Sequence, residues 1–265
     1  MSIPEEKQRL SKFMFQEDFK ASLSGRLLMR YFVRQAMSVD NRQLKLSRDA
    51  REKPYLKEID GEANWDNKVI DFNVSHQGSF SCLAGYVSDK KKTNQSTRLG
   101  VDVMKIEYTG GKPLSEFFRL MTRNFATDEW THIKSFNSNI GKLEAFMRNW
   151  CLKESYVKNI GTGITDDLSK LNFVINTLDL TPDNVVTDTR LKVDGQLLTI
   201  FAFEESLIGT EHCVAVSVKN QPADEQHQPF AFQLIEYEEL IKNATPLTPV
   251  DEKYCMAVLA KDTKS

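Results

Sequence analysis

The chain has 265 residues, of which 40% are hydrophobic and 27% are charged, so it is long enough for one large globular domain or two smaller ones. Its net charge of −2 argues against a general nucleic-acid-binding protein, which needs a strongly basic surface. No apolar run approaches the ~20 residues of a membrane helix, and the four cysteines are too scattered for a zinc site or a disulfide framework. We therefore expect a cytosolic protein without membrane contact.

The charge is unevenly distributed along the chain. Residues 1–60 carry thirteen basic and nine acidic residues, whereas the remainder carries 22 basic and 28 acidic residues. A local basic excess in a nearly neutral protein can mark a site for an anionic small molecule. Ordinary solvated helix faces are the alternative interpretation.

The first part of the chain predicts a long helix followed by a strand, a turn and a strand. Apolar residues recur at helical spacing within residues 4–37, where Gly25 marks either close packing, the approach of a ligand or a local weakness. A strand is predicted over 69–74, a turn over 75–79 and a second strand over 80–87.

The second part predicts a strand, three helices and a series of further strands. Gly161 is suited to ending the third helix, and Asp194-Gly195 is suited to a hairpin turn. The predicted strands are 99–106, 171–176, 189–193, 197–203, 213–219 and 230–234, and the predicted helices are 114–124, 127–136 and 142–160. The residues from 245 onward show no strong pattern. This order indicates an α+β fold with two halves, 1–97 and 98–265.

Trp150, Glu154 and Lys158 share one face of the third predicted helix. Residues four positions apart are displaced by only about 40° around a helix. Glu154 and Lys158 are then either a routine surface ion pair or a metal-binding or proton-accepting carboxylate beside a phosphate-binding lysine.

Asp102 and His76 also lie at positions where a polar side chain requires a partner. Asp102 is in an apolar strand, where burial of a carboxylate is costly unless a partner such as magnesium or a backbone donor satisfies it. His76 lies in the predicted turn beside Gly78, where the imidazole contacts either a phosphate or a structural hydrogen-bond partner.

The order of these segments is more specific than any one of them. Asn73-Val74-Ser75-His76-Gln77-Gly78, then Gly100-Val101-Asp102, then the run from Trp150 to Lys158 with Lys153 and Glu154, closely resembles the motif set of 4'-phosphopantetheinyl transferases of the larger, surfactin-synthetase-activating type. The animal aminoadipate-semialdehyde dehydrogenase phosphopantetheinyl transferase branch is the most similar. The resemblance extends from Pro4 to about Pro249.

The resemblance implies a fold, a reaction and a set of site residues. The fold is α+β, with two similar halves and coenzyme A in the cleft between them. The reaction transfers 4'-phosphopantetheine from coenzyme A to a serine of an acyl-carrier protein domain and releases 3',5'-ADP. The catalytic residues are then Asp102, Glu154 and Lys158, and the coenzyme A contacts are Arg9, Arg48, Arg51, Lys53, Ser75, His76 and Lys158.

Magnesium is the implied cofactor, with Asp102 and Glu154 as its ligands. Many relatives carry an acidic residue where this chain has Met104, and a thioether is a poor magnesium ligand. We therefore expect either the amide oxygen of Gln77 or a water to complete the site. Glu154 is also the candidate base for the attacking serine, although a metal-bound carboxylate is a poor base and the two roles compete.

The implied partners are the carrier domains of fatty-acid synthase and of an aminoadipate-processing enzyme, and the implied oligomeric state is a monomer. The segments around Phe117-Phe118 and Phe125 are candidates for the surface that faces the carrier, with burial in the core as the alternative. Relatives have a strand and a loop before the segment that matches Pro4, so the first half is expected to lack one strand.

Two other functions compatible with the sequence are a non-catalytic descendant that binds coenzyme A or carrier protein, and an unrelated magnesium-dependent phosphohydrolase. Asp102, Glu154 and Lys158 argue against a purely non-catalytic role, whereas Met104 leaves room for one. A phosphohydrolase would cleave coenzyme A without any carrier protein.

Overall fold

The computed structural model describes residues 4–62, 65–90, 97–163, 167–220, 229, 231–242, 244, 246 and 248–264. The helices in this part of the chain are α1 (Pro4–Ser11), α2 (Gln16–Met37), α3 (Leu114–Met121), α4 (Thr127–Ser135), α5 (Asn139–Ile160), α6 (Tyr237–Ile241) and α7 (Glu252–Leu259). The strands are β1 (Leu44–Arg48), β2 (Pro54–Ile59), β3 (Lys68–Gln77), β4 (Phe80–Asp89), β5 (Arg98–Lys105), β6 (Leu171–Val174), β7 (Arg190–Val193), β8 (Gln196–Leu197), β9 (Phe201–Ile208) and β10 (His212–Lys219). The predicted α+β fold class is confirmed.

In the first half, α2 packs on the antiparallel hairpin formed by β3 and β4. Gly25 allows this close packing, because a Cβ atom at that position would lie 2.9 Å from Val74 Cγ1. The hairpin of β1 and β2 contributes Leu44, Leu56 and Ile59 to the same apolar core. Of the interpretations open for Gly25, the structure therefore supports close packing.

In the second half, α5 packs on a three-stranded antiparallel sheet in the order β5-β10-β9. Gly100 of β5 lies directly against the backbone of α5, and a Cβ atom there would collide with Ser155 O and approach Asn159 N to 2.5 Å. A second sheet of order β6-β7-β8 lies beside it, with the β7–β8 turn at Asp194 (φ 49°) and Gly195 (φ 81°) as predicted. Each half thus places one 22-residue helix on antiparallel strands.

The structure corrects several predicted elements. The predicted helix over 4–37 is two helices, separated by an elbow between Ser11 and Gln16. The predicted turn over 75–79 is tighter, because β3 continues to Gln77 and only Gly78 and Ser79 connect it to β4. Residues 231–234 are not a strand, and Phe230 lies outside the described residues. The residues from 245 onward, for which no element was predicted, contain α7.

Within the described residues, no helix is both long and apolar enough to cross a membrane. The boundary at residue 97 between the two predicted halves stays a prediction.

Candidate active site

The site lies where α5 crosses β5. Because Gly100 lets the helix approach the strand, Asp102 of β5 comes to face Lys158 of α5. Asp102 is only 4% exposed, because α5 and β3 cover its face of β5. The other face packs through Leu99, Val101 and Val103 into a separate apolar cluster. The strand therefore presents one carboxylate to the helix from an otherwise apolar surface.

Asp102, Lys158 and Ser75 form a compact hydrogen-bonded cluster, named here the Asp102 cluster. Lys158 Nζ donates to Asp102 Oδ1 at 2.6 Å and to Ser75 Oγ at 2.8 Å. Ser75 Oγ in turn donates to Asp102 Oδ1 at 2.8 Å. The cluster joins β3, β5 and α5, so it links the first half of the chain to the second.

Glu154 lies one helical turn before Lys158 and is half-buried. Burial raises the pKa of the Glu154 carboxyl, and the negative charge of Asp102 raises it further, whereas the positive charge of Lys158 lowers it. The two carboxylates thus repel each other, and the positive charge of Lys158 offsets part of that repulsion.

A divalent cation fits this arrangement. Asp102 Oδ2 is buried and has no hydrogen-bond partner among the described residues, although a buried carboxylate oxygen normally has one. Mg²⁺ prefers one or two carboxylates with water and phosphate oxygens as its remaining ligands. Asp102 and Glu154 supply two carboxylates of that kind. Among the described residues, no group of three or more His, Cys, Asp or Glu side chains is arranged to hold a metal ion.

A row of polar side chains on β3 positions β5. Asp71 Oδ2 accepts from Leu99 N at 2.7 Å, Asn73 Oδ1 accepts from Val101 N at 3.0 Å, and Gln77 Oε1 accepts from Lys105 N. β5 is an edge strand of its sheet, so these amides have no partner strand. The side chains of β3 therefore cover the edge of β5 and align it with β3.

Sequence reasoning missed Asp71 and Asn73, although a signal was present. Residues 71, 73 and 75 are polar and alternate with the apolar Phe72 and Val74. A period of two marks one face of a strand. That pattern would have predicted a polar face on β3 directed at a partner.

Gln77, predicted as a possible metal ligand, has its amide oxygen bound to the Lys105 amide. No hydrogen bond joins it to the Asp102 cluster within the described residues, and its metal role stays a prediction. Met104 packs against the apolar core beneath α5. A thioether in that environment fills space, which agrees with its exclusion as a ligand.

His76 lies on the exposed side of β3 near the Asp102 cluster. Enough protein surrounds the ring to lower the pKa of the imidazole, and the positive charge of Lys158 lowers it further. Gly78 follows at φ 57°, and a Cβ atom there would collide with His212 Nε2. The turn at Gly78 therefore packs directly against His212 of β10.

The basic loop between β1 and β2 is attached to the second half by two side chains. Arg51 Nη1 donates to Gly161 O at 2.9 Å and to Ile160 O at 3.2 Å, at the end of α5. Lys53 Nζ donates to Asp71 Oδ2 at 2.9 Å and to Leu99 O at 3.3 Å. Because Gly161 is only three residues after Lys158, Arg51 attaches the loop to α5 within one helical turn of the Asp102 cluster.

Arg9, Arg26 and Arg48 converge beside this loop and are named here the three-arginine cluster. Burial lowers the pKa of Arg48, and the charges of Arg9 and Arg26 lower it further. Arg26 was not predicted; it is 3% exposed, and its Nη1 has no hydrogen-bond partner among the described residues. Its signal in the sequence is weak, since one arginine after Gly25 in a helix is unremarkable. The cluster has the charge to bind a phosphate.

The phenylalanines considered for a carrier-facing surface are mainly core residues. Phe118 and Phe125 are 8% and 3% exposed and pack with Phe146 and Trp130, and Phe117 is partly buried on the same cluster. The core alternative is therefore the correct one for these side chains.

Comparison with known proteins identifies the family. The family model described as 4'-phosphopantetheinyl transferase, N-terminal, matches residues 2–88. The model described as the 4'-phosphopantetheinyl transferase superfamily matches residues 98–216, which include Asp102, Glu154 and Lys158.

Curated relatives match over most of their length. L-aminoadipate-semialdehyde dehydrogenase-phosphopantetheinyl transferase of Homo sapiens is 35% identical over 262 residues, which cover 95% of this chain and 81% of that protein. The protein of the same name from Xenopus laevis is 33% identical over 95% of this chain and 82% of its own length. A phosphopantetheinyl transferase of Thraustochytrium sp. is 35% identical, with 83% of this chain and 71% of that protein covered.

The resemblance drawn from the three motifs is thus confirmed. The chain belongs to the 4'-phosphopantetheinyl transferase superfamily, whose members transfer phosphopantetheine from coenzyme A to carrier proteins.

Proposed function

We propose that this chain is a magnesium-dependent holo-acyl-carrier-protein synthase that acts as a monomer in the cytosol. Its carriers would include the domains of fatty-acid synthase and of an aminoadipate-processing enzyme. The curated relatives named for aminoadipate-semialdehyde dehydrogenase support the second of these carriers. The single observation that carries the proposal is the Asp102 cluster, in which Asp102 Oδ2 has no hydrogen-bond partner among the described residues and the carboxylate of Glu154 lies nearby.

Asp102 and Glu154 would hold Mg²⁺, which would offset negative charge on the pyrophosphate of coenzyme A. Lys158 is the fixed positive charge of the site. Its ammonium is partly exposed and already held by Asp102 and Ser75, so a phosphate oxygen can accept from its remaining N–H. A preorganised donor of this kind stabilises the leaving 3',5'-ADP without reorganising.

Glu154 is suited to accept the proton of the attacking serine. Its raised pKa brings the carboxyl closer to neutral pH than an ordinary glutamate, and a base works best when its pKa is near the working pH. Binding of Mg²⁺ to the same carboxylate would weaken this role, so proton transfer through a water is the arrangement we favour.

The three-arginine cluster and the basic loop are suited to the remaining phosphate of coenzyme A. Three guanidinium groups held together repel one another, and a bound phosphate relieves that repulsion. Arg26 then joins Arg9 and Arg48 as a coenzyme A contact, while Arg51 and Lys53 position the loop by their contacts with α5, β3 and β5.

The test is the intact mass of a purified apo acyl-carrier domain after incubation with this protein, coenzyme A and Mg²⁺. We expect a gain of one phosphopantetheine group, which is lost with EDTA and with Asp102→Ala. Asp179→Ala removes an exposed carboxylate and is the matched control. No gain with the wild-type protein, while coenzyme A still binds, would point to a non-catalytic descendant.

Two further arms sharpen the result. Incubation with coenzyme A alone separates transfer from hydrolysis, since only a phosphohydrolase releases phosphopantetheine without a carrier. Gln77→Ala tests the predicted third ligand: an unchanged Mg²⁺ requirement would rule out its amide oxygen.

A further inference from the structure

A segment outside both matched family models is fastened across the elbow between α1 and α2. This segment, Asp251–Lys264, contains α7 and is named here the strap. No side chain that the structure describes in the strap is fully buried, and polar contacts join the strap to α1, the elbow and α2. These contacts provide hydrogen-bond partners for the end of α1 and for the start of α2.

The end of α1 is capped by Lys261 of the strap. The last carbonyls of a helix have no partner within the helix. Lys261 Nζ donates to Ser11 O at 2.9 Å and to Phe13 O. A cation at this end also offsets the negative end of the helix dipole.

The start of α2 is capped by the strap as well. Phe15, its N-cap residue, offers no side-chain cap. Instead Gln16 N donates to Asp262 O at 2.8 Å, and Gln16 Nε2 donates to Lys261 O at 2.9 Å. The elbow therefore takes its conformation largely from the strap.

Apart from the strap, α1 is held to α2 by an ion pair between Glu6 and Arg30 at 3.7 Å. Helix α1 has eight residues, too short to be stable alone, and among its side chains that the structure describes only Leu10 is fully buried. The strap adds an ion pair between Asp251 and Lys7 and a hydrogen bond from the Tyr254 hydroxyl to Lys7 O.

Arg9 of α1 is held in the three-arginine cluster, where the charges of Arg26 and Arg48 oppose it. Arg9 and Arg48 both bind Glu52, and Glu6 of α1 offsets part of the repulsion among the three arginines. Glu52, the counter-ion of Arg9, is itself exposed in the basic loop. The strap bonds act against that repulsion.

We propose that the strap is a positioning element for coenzyme A, with Lys261 as its central residue. By capping the α1–α2 elbow, Lys261 keeps Arg9 in the three-arginine cluster before the phosphate arrives, which lowers the entropic cost of binding. This inference rests on the proposed role of Arg9 as a phosphate contact. It assigns a function to a segment that neither family model covers.

The experiment measures the Kd for coenzyme A by calorimetry, and kcat at saturating coenzyme A, for Lys261→Met. We expect Kd to rise about tenfold, as the loss of one charge-assisted hydrogen bond gives, with kcat within about twofold of wild type. Lys261→Arg should restore Kd. Lys242→Met removes the same charge from an exposed position outside the strap and should leave Kd unchanged.

A double-mutant cycle with Arg9→Ala shows whether Lys261 acts through Arg9. If it does, Lys261→Met adds no further loss in the Arg9→Ala background. Additive losses would overturn the inference, as would an unchanged Kd for Lys261→Met when Arg9→Ala weakens binding. If Arg9→Ala itself binds normally, the proposed role of Arg9 has failed, which is a separate result.

Hydrogen exchange provides the structural readout. Amides of residues 4–18 should exchange faster in Lys261→Met, while those of α5 keep their protection. Equal loss of protection in both regions would mean general destabilisation and would contradict a positioning role.

Discussion

Neighbouring residues of one helical motif have opposite roles in this protein. Lys153 and Glu154 are adjacent, but successive residues of a helix point about 100° apart. Lys153 is therefore directed into the core, where it is 1% exposed, pairs with Glu129 at 2.7 Å and donates to Leu168 O. Glu154 and Lys158 lie on the face directed at Asp102. Lys153 is therefore a structural lysine, whereas Lys158 lies in the Asp102 cluster.

Glu154→Gln should raise the stability of the metal-free protein and impair the transfer of phosphopantetheine. The pKa of Glu154 is raised, so the ionised carboxylate costs folding free energy at pH 7.5, and a neutral amide removes that cost. We expect the melting temperature in EDTA to rise by about 2 °C, which corresponds to under about 1 kcal/mol at this chain length. Transfer to the carrier should fall at least about a hundredfold, the contribution of a general base.

The pH dependence of this effect checks its cause. The advantage of Glu154→Gln should be present at pH 7.5 and fade as the pH falls through the raised pKa, where the wild-type carboxyl becomes protonated. A variant that is less stable than wild type in EDTA at pH 7.5 would contradict the assigned repulsion from Asp102.

Two contacts between elements build the site. Gly100 sets the distance between α5 and β5, and the polar side chains of β3 cover the open edge of β5. The first contact brings Lys158 to Asp102, and the second brings Ser75 to both. Neither contact is local in sequence, so the site depends on the packing of three elements from two halves of the chain.

Gly100→Ala should separate α5 from β5 and disrupt the Asp102 cluster. The added Cβ would meet the helix backbone at Ser155 and Asn159, which cannot move as a side chain can. We expect a loss of about 2–3 kcal/mol in the free energy of unfolding, as overpacking gives, measured by urea denaturation.

Gly25→Ala is the matched control for this substitution. Its Cβ would meet only the end of the Val74 side chain, and alanine favours the helix by about 1 kcal/mol over glycine. Its net effect should therefore be smaller than that of Gly100→Ala. Equal losses for the two variants would refute the backbone contact as the cause.

Across the whole molecule, burial lowers the pKa of His76, His132 and His212 below the ordinary value of 6.5. The unfolded chain therefore binds protons more readily than the folded one just below pH 6.5. Stability contributed by these neutral histidines is present above that pH and is lost as the pH falls toward the lowered values.

The contribution of these histidines to the free energy of unfolding should therefore decrease between pH 7.5 and pH 5.5. His212→Gln should make this decrease shallower, because His212 is 3% exposed and its Nε2 has no hydrogen-bond partner in the described part of the chain. Parallel pH profiles for wild type and variant, from urea midpoints, would show that His212 does not contribute.

Much of the fold and of the site followed from the amino-acid order. The periodicity of α5, its end at Gly161 and the β7–β8 turn were all predicted, because each depends on neighbouring residues. The three motifs also singled out Asp102, Glu154 and Lys158, which the structure brings together where α5 crosses β5. Helix α7 was missed, since it has no buried face to create an apolar period.

Only the tertiary structure decided how these groups act on one another. It showed that one buried oxygen of Asp102 has no hydrogen-bond partner among the described residues, and that Arg26 joins two predicted arginines. It also showed that Asp71 and Asn73 cover the edge of β5. Residue type and local spacing specify helices, strands and possible chemistry. Burial, charge coupling and the partners of strand edges arise from contacts between segments far apart in the chain, and no local pattern encodes them.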